Sequence, residues 1–138
     1  MRLTTDQIRL IAAFESVTGV LAKDCIFDNR NAVFVVDENL VGKAVGKGGQ
    51  NVKKLQNLLG RRVEVIGYAD DPVRFLKNIF HPAHILAVNV IDKNGKKIAR
   101  IHMDKESRRV FERRIEAKMK IAKMLAKRYF GIDNVVVM

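Results

Sequence analysis

The feature that most restricts the fold of this chain is a glycine cluster, Gly46-Lys47-Gly48-Gly49, set between two stretches of helical character. Upstream, residues 40–45 read as a short helix interrupted by Gly42. Downstream, residues 51–59 place Val52, Leu55, Leu58 and Leu59 on one face, and Gly60 ends the run. Glycine adopts positive φ at no steric cost and leaves no side chain in front of the backbone. Two helices can therefore be joined by a very tight turn here. What surrounds the turn is strand-like. Residues 25–27 and 32–36 are rich in strand formers, and Asp28-Asn29-Arg30-Asn31 between them is turn-forming. Residues 61–68 then place Val63 and Val65 on one side and Glu64 and Ile66 on the other.

A helix precedes all of this. Thr4 and Gln7 have capping-box spacing, Ile8, Ile11, Ala12 and Phe14 continue an apolar face, and Gly19 is a stop. The second half repeats the order. Asp71-Pro72 starts a helix carrying Val73, Phe75, Leu76, Ile79 and Phe80, which Pro82 stops. Residues 85–91 and 97–103 are strands around Asn94-Gly95, a favoured type I′ hairpin pair. Asp104 caps a long basic helical stretch through Tyr129 that breaks near residues 113–116, and Val135-Val136-Val137 closes the chain as a strand. The sequence thus predicts an α/β chain of two tandem modules, residues 1–69 and 70–138. Each has the order helix-strand-strand-helix-helix-strand and one three-stranded sheet. The joint at residues 69–72 is short, so the modules are expected to sit rigidly side by side with their basic faces forming one track.

Charge narrows the function. The 138 residues hold 26 Lys/Arg against 15 Asp/Glu, a net +11. The excess is uneven: residues 1–70 balance at +2 and residues 71–138 at +9. Such a surface attracts polyanions by counterion release, and nucleic acid is the expected partner. An anionic membrane surface is a weaker rival, because no helix joins a basic face to bulky exposed aromatics. No apolar run approaches the ~20 residues of a membrane span, so no membrane partner is expected. The polar residues 1–7 do not read as a secretory signal. Cys25 is the single cysteine, which excludes an internal disulfide and suits a reducing compartment, with the cytoplasm as the default.

The glycine segment has a defined chemistry. In Val45-Gly46-Lys47-Gly48-Gly49-Gln50-Asn51-Val52 a G-x-x-G lies directly before a helix whose first amides are free to meet a phosphate, with Lys47 and Lys43 adding positive charge. The strand around Val63-Glu64-Val65 would form the far wall of a base groove, with Val45 and Val52 as its floor. Such a site holds about four nucleotides. A Walker loop is excluded. Only three residues separate Gly42 from Gly46, and the Ser/Thr that would hold magnesium is missing. A dinucleotide fingerprint fails as well, for want of a strand directly before the turn and of the G-x-G-x-x-G order.

The helix-strand-strand-helix-GxxG-helix-strand order resembles a type II KH domain. V-G-K-G-G-Q-N-V followed by K-K-L-Q-N-L-L-G-R-R-V-E-V-I is similar to the first KH domain of the NusA transcription factors. Two abutting KH modules filling the chain resemble the short archaeal form. The longer bacterial form adds a polymerase-binding region and an S1 domain, for which this chain has no room. The resemblance covers residues 1–138, and its specific motif lies in residues 42–66. It implies single-stranded RNA binding in transcription termination or antitermination, with RNA polymerase as the candidate protein partner. Carried onto this sequence, the RNA-facing set is Lys43, Val45, Gly46, Lys47, Gly48, Gly49, Gln50, Asn51, Val52, Lys53, Arg61 and Arg62.

The second module departs from the pattern. It has no glycine between Gly95 and Gly131, so a backbone clamp does not carry over. It is either a packing partner or a binder through side-chain charge, for which Arg108, Arg109, Arg113, Arg114, Lys118, Lys120 and Lys123 are the candidates. Two other readings stay open: a ribosome-associated KH protein that prefers structured ribosomal RNA, and a protein-interaction adaptor for RNA polymerase.

The remaining reactive residue types carry no site. His81 and His84 are split by Pro82 and lack a third ligand, so no metal is expected. His102 is expected half-buried on a strand, and Cys25 as a buried thiol. Met119, Ile121, Met124 and Leu125 read as core of the last helix, and Tyr68 and Tyr129 as packing. No serine–histidine–acid set or close carboxylate pair is apparent. The expectation is a protein that is not an enzyme, with no cofactor and no small-molecule substrate.

Overall fold

The computed structural model describes residues 3–112 and 115–138. Arg113 and Arg114 lie outside the described residues. The chain divides into two compact units, Met1–Ala69 and Asp70–Met138.

The first unit begins with α1 (Thr5–Thr18). Its capping box is complete: the Gln7 amide donates to Thr4 Oγ1 at 3.2 Å, and the Thr4 amide donates to Gln7 Oε1 at 2.9 Å. Gln7 Nε2 also donates to the Cys25 carbonyl at 2.8 Å. That bond turns Gln7 inward and sets the helix rotation. The buried stripe is therefore Leu10, Ile11, Phe14 and Thr18, while Ile8, expected on the apolar face, is 54% exposed.

Strands β1 (Asp24–Phe27) and β2 (Asn31–Asp37) form an antiparallel hairpin, with Cys25 opposite Phe34. A 3₁₀ turn (Glu38–Leu40), α2 (Val41–Val45), the glycine turn and α3 (Gln50–Leu59) then cross over the sheet. They deliver β3 (Arg62–Tyr68) parallel to β2, with Asn31 opposite Arg62, giving the order β1-β2-β3. The helices pack on the sheet face that carries Ala32, Phe34, Val36 and Val63. Phe14 stacks on Phe34 at 4.4 Å between centroids, and Leu55 and Ala44 are fully buried beside them. Leu58, expected on the inner face of α3, is 62% exposed. Leu55 and Leu59 already span the contact, and Leu58 is rotated ~100° from its successor around the helix.

The second unit repeats the plan. Asp71 accepts from the amides of Val73 and Arg74 and caps α4 (Pro72–Phe80). β4 (Ile85–Lys93) and β5 (Lys96–Met103) pair antiparallel through the Asn94-Gly95 turn, where both residues have positive φ. Asp104 caps α5 (Lys105–Phe111) by accepting from Ser107. After α6 (Ile115–Phe130), β6 (Asn134–Val137) pairs parallel to β5, giving the order β4-β5-β6. Phe75, Leu76, Ile79 and Phe80 of α4 are fully buried, as are Ala122, Leu125 and Ala126 of α6. The expected core positions of α6 need correction. Met119 and Ile121 are half-buried and Met124 is 38% exposed, because two alanines let α6 approach closely along the Ala122–Leu125–Ala126 stripe instead.

Candidate nucleic-acid interface

Three glycines of the α2–α3 turn have positive φ: Gly46 at 78°, Gly48 at 63° and Gly49 at 74°. They differ in what lies around them. A Cβ on Gly46 would meet the Asn51 side chain at 2.9 Å, whereas a Cβ on Gly48 or Gly49 would meet nothing within 4 Å. Asn51 explains the first contact. Its Nδ2 donates to the Lys43 carbonyl at 3.2 Å, tying the start of α3 to the last turn of α2 directly beneath Gly46. Gly46 and Asn51 therefore shape the turn. Gly48 and Gly49 present bare backbone on its outer side.

The electrostatics of the turn follow from what is missing at the head of α3. Helices α1, α4 and α5 are capped by Thr4, Asp71 and Asp104, and each cap satisfies amides that would otherwise be free. The N-cap of α3 is Gly49, with no side-chain cap bond and no acidic residue in the first turn. Two amides at this junction are taken up by the 3₁₀ turn, Gly49 donating to the Gly46 carbonyl at 3.0 Å and Gln50 to the Lys47 carbonyl, and no side-chain cap or first-turn acid offsets the positive end of the helix dipole. Lys47, Gly48, Gln50 and Lys53 are exposed around it. Residues 39–63 carry six lysines and arginines and no acid at all.

The other expected residues divide between this turn and the far end of α3. Lys43 is exposed, and its Nζ reaches the Gly19 carbonyl at 3.5 Å, where the negative end of α1 favours a cation. Val45 is half-buried; Val52 and Val65 pack against the core, and Val63 is buried within it. Arg61 and Arg62 are not at the glycine turn. They lie beyond the opposite end of α3, across an open depression of about 540 Å³ lined by Asn29, Arg30, Gln56, Gly60, Arg61 and Arg62. Arg30 and Gln56 had no signal in the linear sequence. Only the pairing of Asn31 with Arg62 brings the hairpin turn to this end.

In the second unit an open groove of about 560 Å³ runs between α6 and β6. Met119, Lys120 and Lys123 line its helical wall, together with Ile115 and Glu116, and residues 134–137 of β6 line the other. Among the sequence candidates it brings Lys120 and Lys123 together. Arg108 and Arg109 are exposed on α5 instead, and Lys118 is half-buried with a partner of its own. Met119, expected in the core, lines this groove instead, on the helical face that the 116, 119, 120, 123 spacing sets apart from the Ala122–Leu125–Ala126 stripe.

The reactive residue types remain quiet. Burial, reinforced by the neighbouring Asp24 carboxylate, pushes the Cys25 thiol up to about 12. His84 Nδ1 lies 2.9 Å from Asp104 Oδ2 on the surface, and no group of three metal-ligating side chains occurs among the described residues. His102 is half-buried on β5, Tyr129 packs edge-on against Phe75 at 5.8 Å, and Lys23 sits over the Tyr68 ring at 4.4 Å. Among the described residues no helix is long and apolar enough to cross a membrane.

Two α-β-β-α-α-β units, each with a mixed three-stranded sheet, and an open GxxG turn in the first define a protein of tandem type II KH domains. The KH domain family matches residues 10–89. The probable transcription termination protein NusA of Methanocaldococcus jannaschii is 41% identical over 85 residues, which is 62% of this chain and 46% of that protein. The match thus spans less than half the length of that relative. The protein of the same name from Halobacterium salinarum is 33% identical over 135 residues, covering 98% of this chain and 96% of its own. The crystal structure of APE1850 superposes with a TM-score of 0.83 at 33% identity, covering 99% of this chain and all of that one. The chain belongs to the KH-domain family and, within it, to the short archaeal NusA group.

Proposed function

We propose that this protein binds single-stranded RNA in the cytoplasm and acts in transcription termination or antitermination by gripping the nascent transcript. RNA polymerase is its protein partner, and it works by binding rather than catalysis. The observation that carries this reading is the uncapped head of α3 behind the bare backbone of Gly48 and Gly49, flanked by Lys47 and Lys53. A phosphate seated there gains the helix dipole and lysine charge together. Gln50 is exposed beside the same turn. Gly46, Asn51, Val45 and Val52 hold the turn and its inner wall in shape. Sequence preference is modest, since these contacts go to the backbone.

The second unit contributes by side chains. Lys120 and Lys123 face the groove over Met119 and β6, which suits a strand whose phosphates follow the lysines while a base covers the thioether. Arg109 and Lys118 add charge to the same unit, as do Arg113 and Arg114, which lie outside the described residues.

The decisive variant is Gly48→Asp. Aspartate enters the left-handed region at a strain of about 1 kcal/mol and its Cβ meets nothing, so the fold is expected to survive, which circular dichroism checks alongside. Filter binding to a short single-stranded RNA should weaken about 10–100-fold, roughly 1.4–2.8 kcal/mol. Wild-type affinity in this variant would end the proposal. Gly46→Asp is a poorer probe, because it collides with Asn51.

A further inference from the structure

The geometry points to a second phosphate-binding site in the first unit, the basin of Arg30, Arg61 and Arg62 at the far end of α3, which takes an RNA strand leaving the glycine turn. This inference rests on the RNA-binding reading above and deepens it. The 10 residues of α3 separate the two sites by ~15 Å along the helix axis. Lys53, Lys54 and Asn57 are exposed on α3 between the two ends.

The basin is built on the sheet rather than on free loops. The Arg62 amide donates to the Arg30 carbonyl at 2.8 Å, so both arginines are held by the start of the parallel β2–β3 pairing. Arg61 lies over the Phe27 ring at 5.7 Å. Gly60, in a left-handed C-cap, adds no side chain to the floor. Two carboxylates stand two residues from these arginines: Glu64 is half-buried on β3 with an interaction of its own, and Asp28 is engaged in the turn. It accepts from the amides of Arg30 and Asn31, which hold it below the ordinary carboxylate range. None of the three guanidiniums forms a salt bridge among the described residues. Planar guanidiniums on a wide, shallow surface suit phosphates passing over it more than a small molecule held within it.

The experiment compares a labelled tetranucleotide and a labelled dodecanucleotide of uridine on the full chain, by fluorescence anisotropy at several salt concentrations. The variant is Arg30→Gln with Arg62→Gln, which leaves Arg61 on Phe27. The dodecamer should weaken about tenfold and its salt slope should fall by about 1.4, two phosphates at ~0.7 each. The tetramer should stay within about twofold of wild type. Arg30→Lys with Arg62→Lys should restore most of the slope. An unchanged dodecamer slope overturns the inference. So does equal weakening of both lengths, which would put the arginines at the glycine site. Loss of decaglutamate binding without any change for RNA would also overturn it, marking the basin as a docking point for an acidic protein. Gly48→Asp is run in parallel. If it leaves tetramer binding intact, the glycine reading fails while the arginine arm is still read on the dodecamer.

Discussion

The two units make the same sheet twice, yet their helix–helix turns are chemically opposite. In the first, three glycines with positive φ lead into a helix with no cap and no acid at its head. In the second, residues 112–116 hold no glycine, and Glu116 stands in the first turn of α6. The antiparallel pair, the parallel return strand and the buried aromatic centre survive this change. The glycines are therefore not needed to close the fold, since a helical pair crosses over the sheet without them. Gly46 serves the inside of the turn against Asn51, and the use we propose for Gly48 and Gly49 is on its outside, where a side chain would stand between the backbone and a ligand.

This comparison can be broken most sharply through the cores. Phe34→Ala removes the ring stacked on Phe14, and Phe75→Ala removes the ring packed on Tyr129 and Phe130. Both phenylalanines are fully buried, so each substitution should cost about 3–5 kcal/mol in urea unfolding. A difference of more than about 2 kcal/mol between them would show that the two units do not share one structural logic.

A smaller effect sharpens the functional contrast. Lys47→Glu beside the open turn should weaken RNA binding about tenfold, and Lys120→Glu in the α6–β6 groove about threefold, since only the first stands beside an uncapped helix head. Equal losses, measured by anisotropy at one salt concentration, would place the two units on the same footing.

The smallest effect concerns acid. The amide and the hydroxyl of Ser107 hold Asp104 below its ordinary range, with His84 adding to this, as the amides of Arg30 and Asn31 hold Asp28. A carboxylate whose folded pKa is depressed stabilises the fold above its unfolded value near 4 and loses that contribution as pH falls through the folded value. Asp104→Asn should therefore lower thermal stability slightly at neutral pH and flatten its decline below about pH 4, so that the two proteins converge in acid. An unaltered acid limb would show that the cap of α5 carries no such linkage.

Much of this was legible in the chain. The caps at Thr4, Asp71 and Asp104, the Asn94-Gly95 hairpin and the glycine turn are local devices, each encoded within three or four neighbouring residues. The inner face of a helix was not legible from hydrophobicity alone. Ile8, Leu58 and Met124 are apolar and within reach of their stripes, but Gln7, Leu55 and the alanines of α6 set the rotation.

The sequence by itself determined the element order, the duplication, the basic excess and the position of the bare turn, because each depends on spacing of a few residues and on counts of charge. Tertiary structure alone decided that β3 returns parallel to β2, and hence that Arg30 meets Arg61 and Arg62 from thirty residues away. It also decided that Gly46 closes on Asn51 while Gly48 faces open space. Long-range register is set by how whole helices pack, a choice that no short window of sequence contains.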